Sequence, residues 1–205
     1  KMLVLDHIAV VGMTRQLATG FAEKSLGIAP VAQGAHPHFG THNHLWGMGA
    51  DCYLESIAID PDAPQPTYAR WFGLDQFSGP PRIGSWILAT TDMKATLKQL
   101  GPEFGTPVRL ERGKYTWEIS VSSSGVLPFG GYGPAIIQWQ PPAHPCQDLP
   151  DSGCRLLSLQ VQHPQAARMQ EVFGELLNDM RIGFSDGSAH ISAEIQTDHG
   201  VVTLG

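Results

Sequence analysis

The strongest constraint on the fold is an order of signals that recurs three times: an apolar strand, a capped amphipathic helix, then further strands. In the first round, residues 3–11 are apolar and β-branched, and alternation puts Leu3, Leu5, His7, Ala9 and Val11 on one face. Thr14 offers a helix cap, Leu17, Ala18, Phe21, Ala22 and Leu26 form a helical stripe, and Gly27 ends it. Strand signals follow at 28–33, 42–48 and 51–59, the last two forming a hairpin that turns at Gly49–Ala50. Tyr53, Glu55, Ile57 and Ile59 share a face of the final strand. The second round has a strand at 83–90, a helix capped by Asp92 and closed by Gly101, and strands at 106–112, 115–121 and 134–140. The third has a strand at 155–162 with Leu157, Leu159 and Val161 on one face. A helix follows, starting near Pro164 and striped by Met169, Val172, Phe173, Leu176 and Leu177, and then strands at 189–196 and 200–204.

The rounds start roughly 70 to 80 residues apart, a spacing too long for a solenoid repeat. This predicts an α+β chain of βαβββ modules: 1–60, a Pro-rich linker at 61–82 (Pro61, Pro64, Pro66), 83–145, and a shorter third module at 146–205. Each module needs a curved mixed sheet with its helix outside, and the concave faces enclose a cleft. The stretch 34–40 reads as a loop bearing His and Gly. With 23 glycines and 16 prolines in 205 residues, an all-helical bundle is disfavoured.

Charge and cysteine usage narrow the functional classes. The net charge is −6 with no basic stripe, so nucleic acid is not an expected partner. No apolar run has the length of a membrane span, and the opening apolar stretch is broken by Asp6 and His7, so it reads as a strand and not as a signal-peptide core. Three cysteines (Cys52, Cys146, Cys154) form no CxxC pair, which fits reduced thiols and a cytoplasmic location. Nine histidines are the chemical surplus, and four of them (His36, His38, His42, His44) fall within nine residues.

Three segments carry a resemblance to a known family: LDHIAVV (5–11), HPHFGTHNHLWGMG (36–49) and CYLESIAI (52–59). A D-H dipeptide on the first strand, an H-P-x-x-G-T-x-N segment and a Y-L-E strand resemble the glyoxalase-like branch of the vicinal oxygen chelate superfamily. PFGGYGPAIIQW (128–139) resembles the same branch more weakly in the second module. The resemblance implies a cupped site in which the first and last strands of each module supply divalent-metal ligands. His7 and Glu55 match two such positions, a sound pair for Zn, Mn, Fe or Ni, and no organic cofactor is implied. The matching positions of the second module are Trp86 and Gln138. Trp cannot ligate and Gln is a weak donor, so the pattern departs from the family at half of the site. His36 and Asn43 fall on signature positions and are expected as polar substrate-binding groups, with Trp86 as an apolar wall and Gln138 beside it. His38, His42 and His44 are expected to face solvent.

The function expected from this resemblance is a lyase, isomerase or dioxygenase-type enzyme for a small oxygenated or carbonyl substrate. His7 would hold a metal, and Glu55 would be a ligand or proton carrier. A metal-free protein that binds or sequesters a small molecule in the same cup is the alternative. A metal-free hydro-lyase or hydrolase driven by His7 and Glu55 is a third. A homodimer, with a second copy completing the cup, is compatible with each.

Overall fold

The computed structural model of the protein describes residues 2–205. The first round of elements is β1 (Val4–Val11), α1 (Arg15–Leu26), β2 (Ala32–His36), β3 (Thr41–Gly47) and β4 (Tyr53–Ile59). The second is β5 (Arg82–Ala89), α2 (Met93–Leu100), β6 (Thr106–Arg112), β7 (Tyr115–Val121) and β8 (Ala135–Trp139). The third is β9 (Arg155–Gln162), α3 (Ala166–Phe173), β10 (Ile182–Ser185), β11 (His190–Thr197) and β12 (Gly200–Leu204). The fold is α+β, with βαβββ units and curved mixed sheets around a cleft.

The helices begin where side chains can satisfy their first free amides. Thr14 Oγ1 accepts from Leu17 N at 3.0 Å, and Asp92 Oδ1 accepts from Ala95 N at 2.9 Å. At the far end of α1, Gly27 takes the left-handed conformation (φ 70°) and returns its N–H to Glu23 O.

The first two rounds share one eight-stranded sheet, ordered β2-β3-β4-β1-β5-β8-β7-β6. Antiparallel pairing of β1 with β5 joins the halves at the centre. The third round makes its own four-stranded sheet, β10-β9-β11-β12. It packs against the helix-bearing face of the large sheet, so that Leu3, Leu5, Ile8, Trp86, Phe173 and Ile195 belong to one core. The opposite, concave face carries a separate cluster that includes Ala9, Val11, Ile57, Ile87, Trp117 and Ile137. The eight strands curl until the two edges approach: Arg112 at the end of β6 lies 3.3 Å from His36 on β2.

Simple alternation fails in β1 and again in β9. Leu3 and Leu5 point into the outer core, whereas His7, Ala9 and Val11 face the concavity. The cause is a bulge: the pairing of β1 with β5 steps from Leu5↔Leu88 to His7↔Ile87, leaving Asp6 as the extra residue. A second shift between Glu194 and Ile195 sets Leu157 apart from its expected face; it is 44% exposed while Leu156 and Leu159 are buried. His36 also departs from expectation, because β2 continues through it and only the residues after it turn. The short strand β10 carries little periodic signal and adds an edge to the third sheet.

Candidate functional site

Strand alternation past the bulge turns His7 of β1 into the concavity, and its parallel neighbour β4 presents Tyr53 and Glu55 on the same side. Asp6, the bulge residue, is buried and gathers three contacts. Its Oδ2 is 2.6 Å from His7 Nδ1, and its Oδ1 is 2.7 Å from His144 Nε2 and 3.0 Å from Trp139 Nε1. Burial by itself would raise the Asp6 pKa. The hydrogen bonds from His144 and His7 outweigh burial and hold it at about 2.

An ionised Asp6 is an acceptor only, so the ring partners must donate to it. His7 therefore carries its proton on Nδ1 and turns Nε2 toward the cup. His144 donates through Nε2 while its Nδ1 accepts from Cys146 N at 3.1 Å, which makes it the neutral tautomer. His7 is thus the ring beside Asp6 whose second nitrogen is available for proton exchange. It stacks on Tyr53 with centroids 4.3 Å apart, and its Nε2 is 3.7 Å from Glu55 Oε1. The other Glu55 oxygen accepts from Asn43 Nδ2 at 2.6 Å. Burial, with the Asp6 and Glu55 charges adding to it, pushes the Tyr53 hydroxyl well above its usual range, so it stays a phenol.

Farther out, His36 is buried between Thr41 Oγ1 (3.1 Å from Nδ1) and the Arg112 guanidinium (3.3 Å from Nε2). Burial lowers its pKa to about 3, and the Arg112 charge adds to the effect. A neutral His36 with its proton on Nδ1 donates to Thr41 and accepts from Arg112, so the three groups are mutually consistent. Trp71 and Phe72, from the segment between β4 and β5, close one side of the cup, with Trp71 stacked on Phe39 at 4.6 Å. The buried Arg70 fixes that segment by donating to Phe39 O and to Asp75. The stretch between the first two rounds therefore supplies a wall of the site. The side chains leave a cavity of about 20 Å³, room for about one water molecule.

The structure brings together His7, Glu55, His36 and Asn43 around this cavity. It does not bring Trp86 or Gln138 there. Trp86 lies on the outer face, donates to Tyr132 O and packs on Phe173 and Phe184. Gln138 caps α2: its Oε1 accepts from Met93 N at 2.7 Å and its Nε2 donates to Thr91 O. Their neighbours Ile87 and Ile137 hold the inward positions instead, one residue along each strand. His42 and His44 face away from the cup, toward Asp60 and Thr19, and His38 is exposed against Tyr68. All three cysteines are free and buried, and burial pushes the Cys52 thiol far above its usual range.

A family model described as a glyoxalase-like domain matches residues 5–177. The chain belongs to the glyoxalase-like family. The matched residues span both halves of the eight-stranded sheet and reach into the third round. A hypothetical protein from Staphylococcus aureus shares this glyoxalase-like fold with a TM-score of 0.65 at 16% identity, over 93% of this chain and 88% of that one. Looser likenesses are to methylmalonyl-CoA epimerases. The one from Mycobacterium tuberculosis has a TM-score of 0.44 at 16% identity, over 68% of this chain and 88% of that one. The one from Streptomyces coelicolor has a TM-score of 0.45 at 12% identity, over 70% and 100%. Comparison with curated proteins gives no match.

The donor set does not fit the metal that the superfamily implies. His7 Nε2 and Glu55 Oε1 lie close enough to share an ion, but a catalytic site of this kind takes three protein ligands. The inward positions opposite them are Ile87 and Ile137, which have no donor atom. Among the described residues, no three His, Cys, Asp or Glu side chains converge on one point.

Proposed function

We propose that this glyoxalase-like protein is an enzyme that moves a proton at a carbon beside a carbonyl or similar oxygenated group of a small substrate. The reaction class is isomerase or lyase. One observation carries the reading: His7 is held between the ionised Asp6 on one side and Glu55 on the other.

The chemistry follows from that order. His7 Nε2 takes a proton from the substrate carbon, and the C–H electron pair passes toward the carbonyl oxygen. Asp6 stabilises the imidazolium that forms, because Nδ1–H already points at it. Return of the proton at a different atom, or loss of a leaving group, completes the reaction. Asn43 holds one Glu55 oxygen, so the other faces His7 and the incoming carbon. Glu55 is the second proton carrier. The aromatic walls exclude water from the exchanging proton.

Deuterium exchange tests this reading. In heavy water, the wild-type protein should exchange the acidic C–H of at least one member of a panel of small ketones, aldehydes and oxo acids, followed by proton NMR. His7→Gln and Glu55→Gln should each slow exchange by about 10²- to 10⁴-fold, and Asp6→Asn should fall between them and wild type. Failure of the folded protein to exchange any of the panel sinks the proposal. Saturable binding without exchange would favour a sequestering role. A rate that vanishes on chelation and returns with Zn, Mn, Fe or Ni would replace this mechanism with a metal-dependent one.

A further inference from the structure

We infer that Arg112 anchors a carboxylate, and hence that the ligand of this cup is a small monocarboxylate. The link from binding to turnover rests on the proton-transfer reading above; the binding itself does not.

Arg112 is half-buried, lines the cavity that holds His7 and Glu55, and has no acidic side chain within ion-pair distance among the described residues. Its contacts are neutral: the His36 Nε2 at 3.3 Å and the Trp117 ring, whose centroid is 5.9 Å from the guanidinium carbon. The nearby carboxylate, Glu55, is engaged by Asn43 instead. A guanidinium partly withdrawn from water and without an acidic neighbour leaves its charge free for an anionic ligand. Here the cup reserves room for its head group. A Cβ on Gly34 would stand 2.6 Å from Arg112 Nη1 and 3.1 Å from Asn43 Oδ1, and that oxygen is itself buried without a hydrogen-bond donor.

A carboxylate offers what His36 lacks. It accepts two parallel N–H bonds from a guanidinium, and each is roughly twice as strong as a bond to a neutral acceptor. An incoming anion therefore displaces His36 as the Arg112 partner, and His36 keeps its bond to Thr41. The cavity of about 20 Å³ admits such a ligand only as His36 and Arg112 part, and the walls of Trp71 and Trp117 restrict it to a few carbons. With its carboxylate on Arg112, such a ligand would extend toward His7 and Glu55.

The test is a fluorescence titration, because Trp117 reports directly on the Arg112 head group. Pyruvate should give a saturable change in the wild-type protein, and pyruvamide, its neutral counterpart, should bind about tenfold more weakly or not at all. Arg112→Gln should weaken pyruvate binding about tenfold or more, Arg112→Lys should weaken it less, and Arg109→Gln, at an exposed arginine of the same strand, should leave it close to wild type. Circular dichroism confirms that each variant is folded. The inference is overturned if pyruvate and pyruvamide bind alike, if Arg112→Gln binds pyruvate as the wild type does, or if neither pyruvate nor acetate binds at millimolar concentration. Carboxylate binding without deuterium exchange would sink the catalytic reading and leave the anion site standing. Exchange confined to neutral carbonyl compounds would do the reverse.

Discussion

His36 and Asp6 both make the protein sensitive to acid, in overlapping pH windows. The buried His36 accepts a proton only near pH 3, whereas an unfolded chain accepts one near 6.5. Between these values the unfolded state holds a proton that the folded state lacks, so stability falls with pH by about 1.4 kcal/mol per unit. Asp6 is depressed to about 2 from an ordinary value of 3.8. Its contribution is complete above 3.8 and is lost as the pH falls toward 2. Urea unfolding at a series of pH values should therefore show a shallower decline between 6.5 and 3 for His36→Gln than for wild type. An unchanged slope would mean that the folded protein protonates His36 readily. The sequence pointed to His7, Glu55, His36 and Asn43 because each sits in a short motif. Arg112 had no such signal: its partner lies 76 residues away, and only the curl of the sheet unites them.

At the level of elements, the chemistry depends on strand phase. Counting from the first module placed Trp86 and Gln138 in the cup, and the true inward residues are one position farther or nearer on each strand. A bulge leaves no compositional mark, so the phase of β1 relative to β5 could not be read from apolar alternation. The order of strands and helices in the first two rounds was legible, because Thr14, Gly27, Asp92 and Gly101 carry their own capping chemistry. Gly34 gives a test of how closely the opposing edge strands approach. Gly34→Ala places a methyl group against the tip of Arg112, a flexible end that can swing aside. The expected result is a stability change within about 1 kcal/mol by urea denaturation, together with clearly weaker pyruvate binding. Loss of folding without a selective binding defect would show that the strand itself cannot accept a side chain there.

The whole molecule separates stability from chemistry by putting them on opposite faces of one sheet. The third module covers the outer face, where Trp86 meets Phe173 and Phe184. Trp86→Ala should thus cost about 3–5 kcal/mol in urea unfolding, while the exchange rate per folded molecule, measured well below the melting temperature, stays near wild type. A collapse of that rate in the folded variant would place Trp86 among the residues that shape the cup. The meeting of Arg112 with His36 has a further consequence. A barrel sealed by a backbone ladder has a fixed bore, because widening it would break every bond along a seam. This sheet is fastened instead by a clasp of two side chains between its first and last strands, and a guest that competes for the clasp unlocks its own entrance.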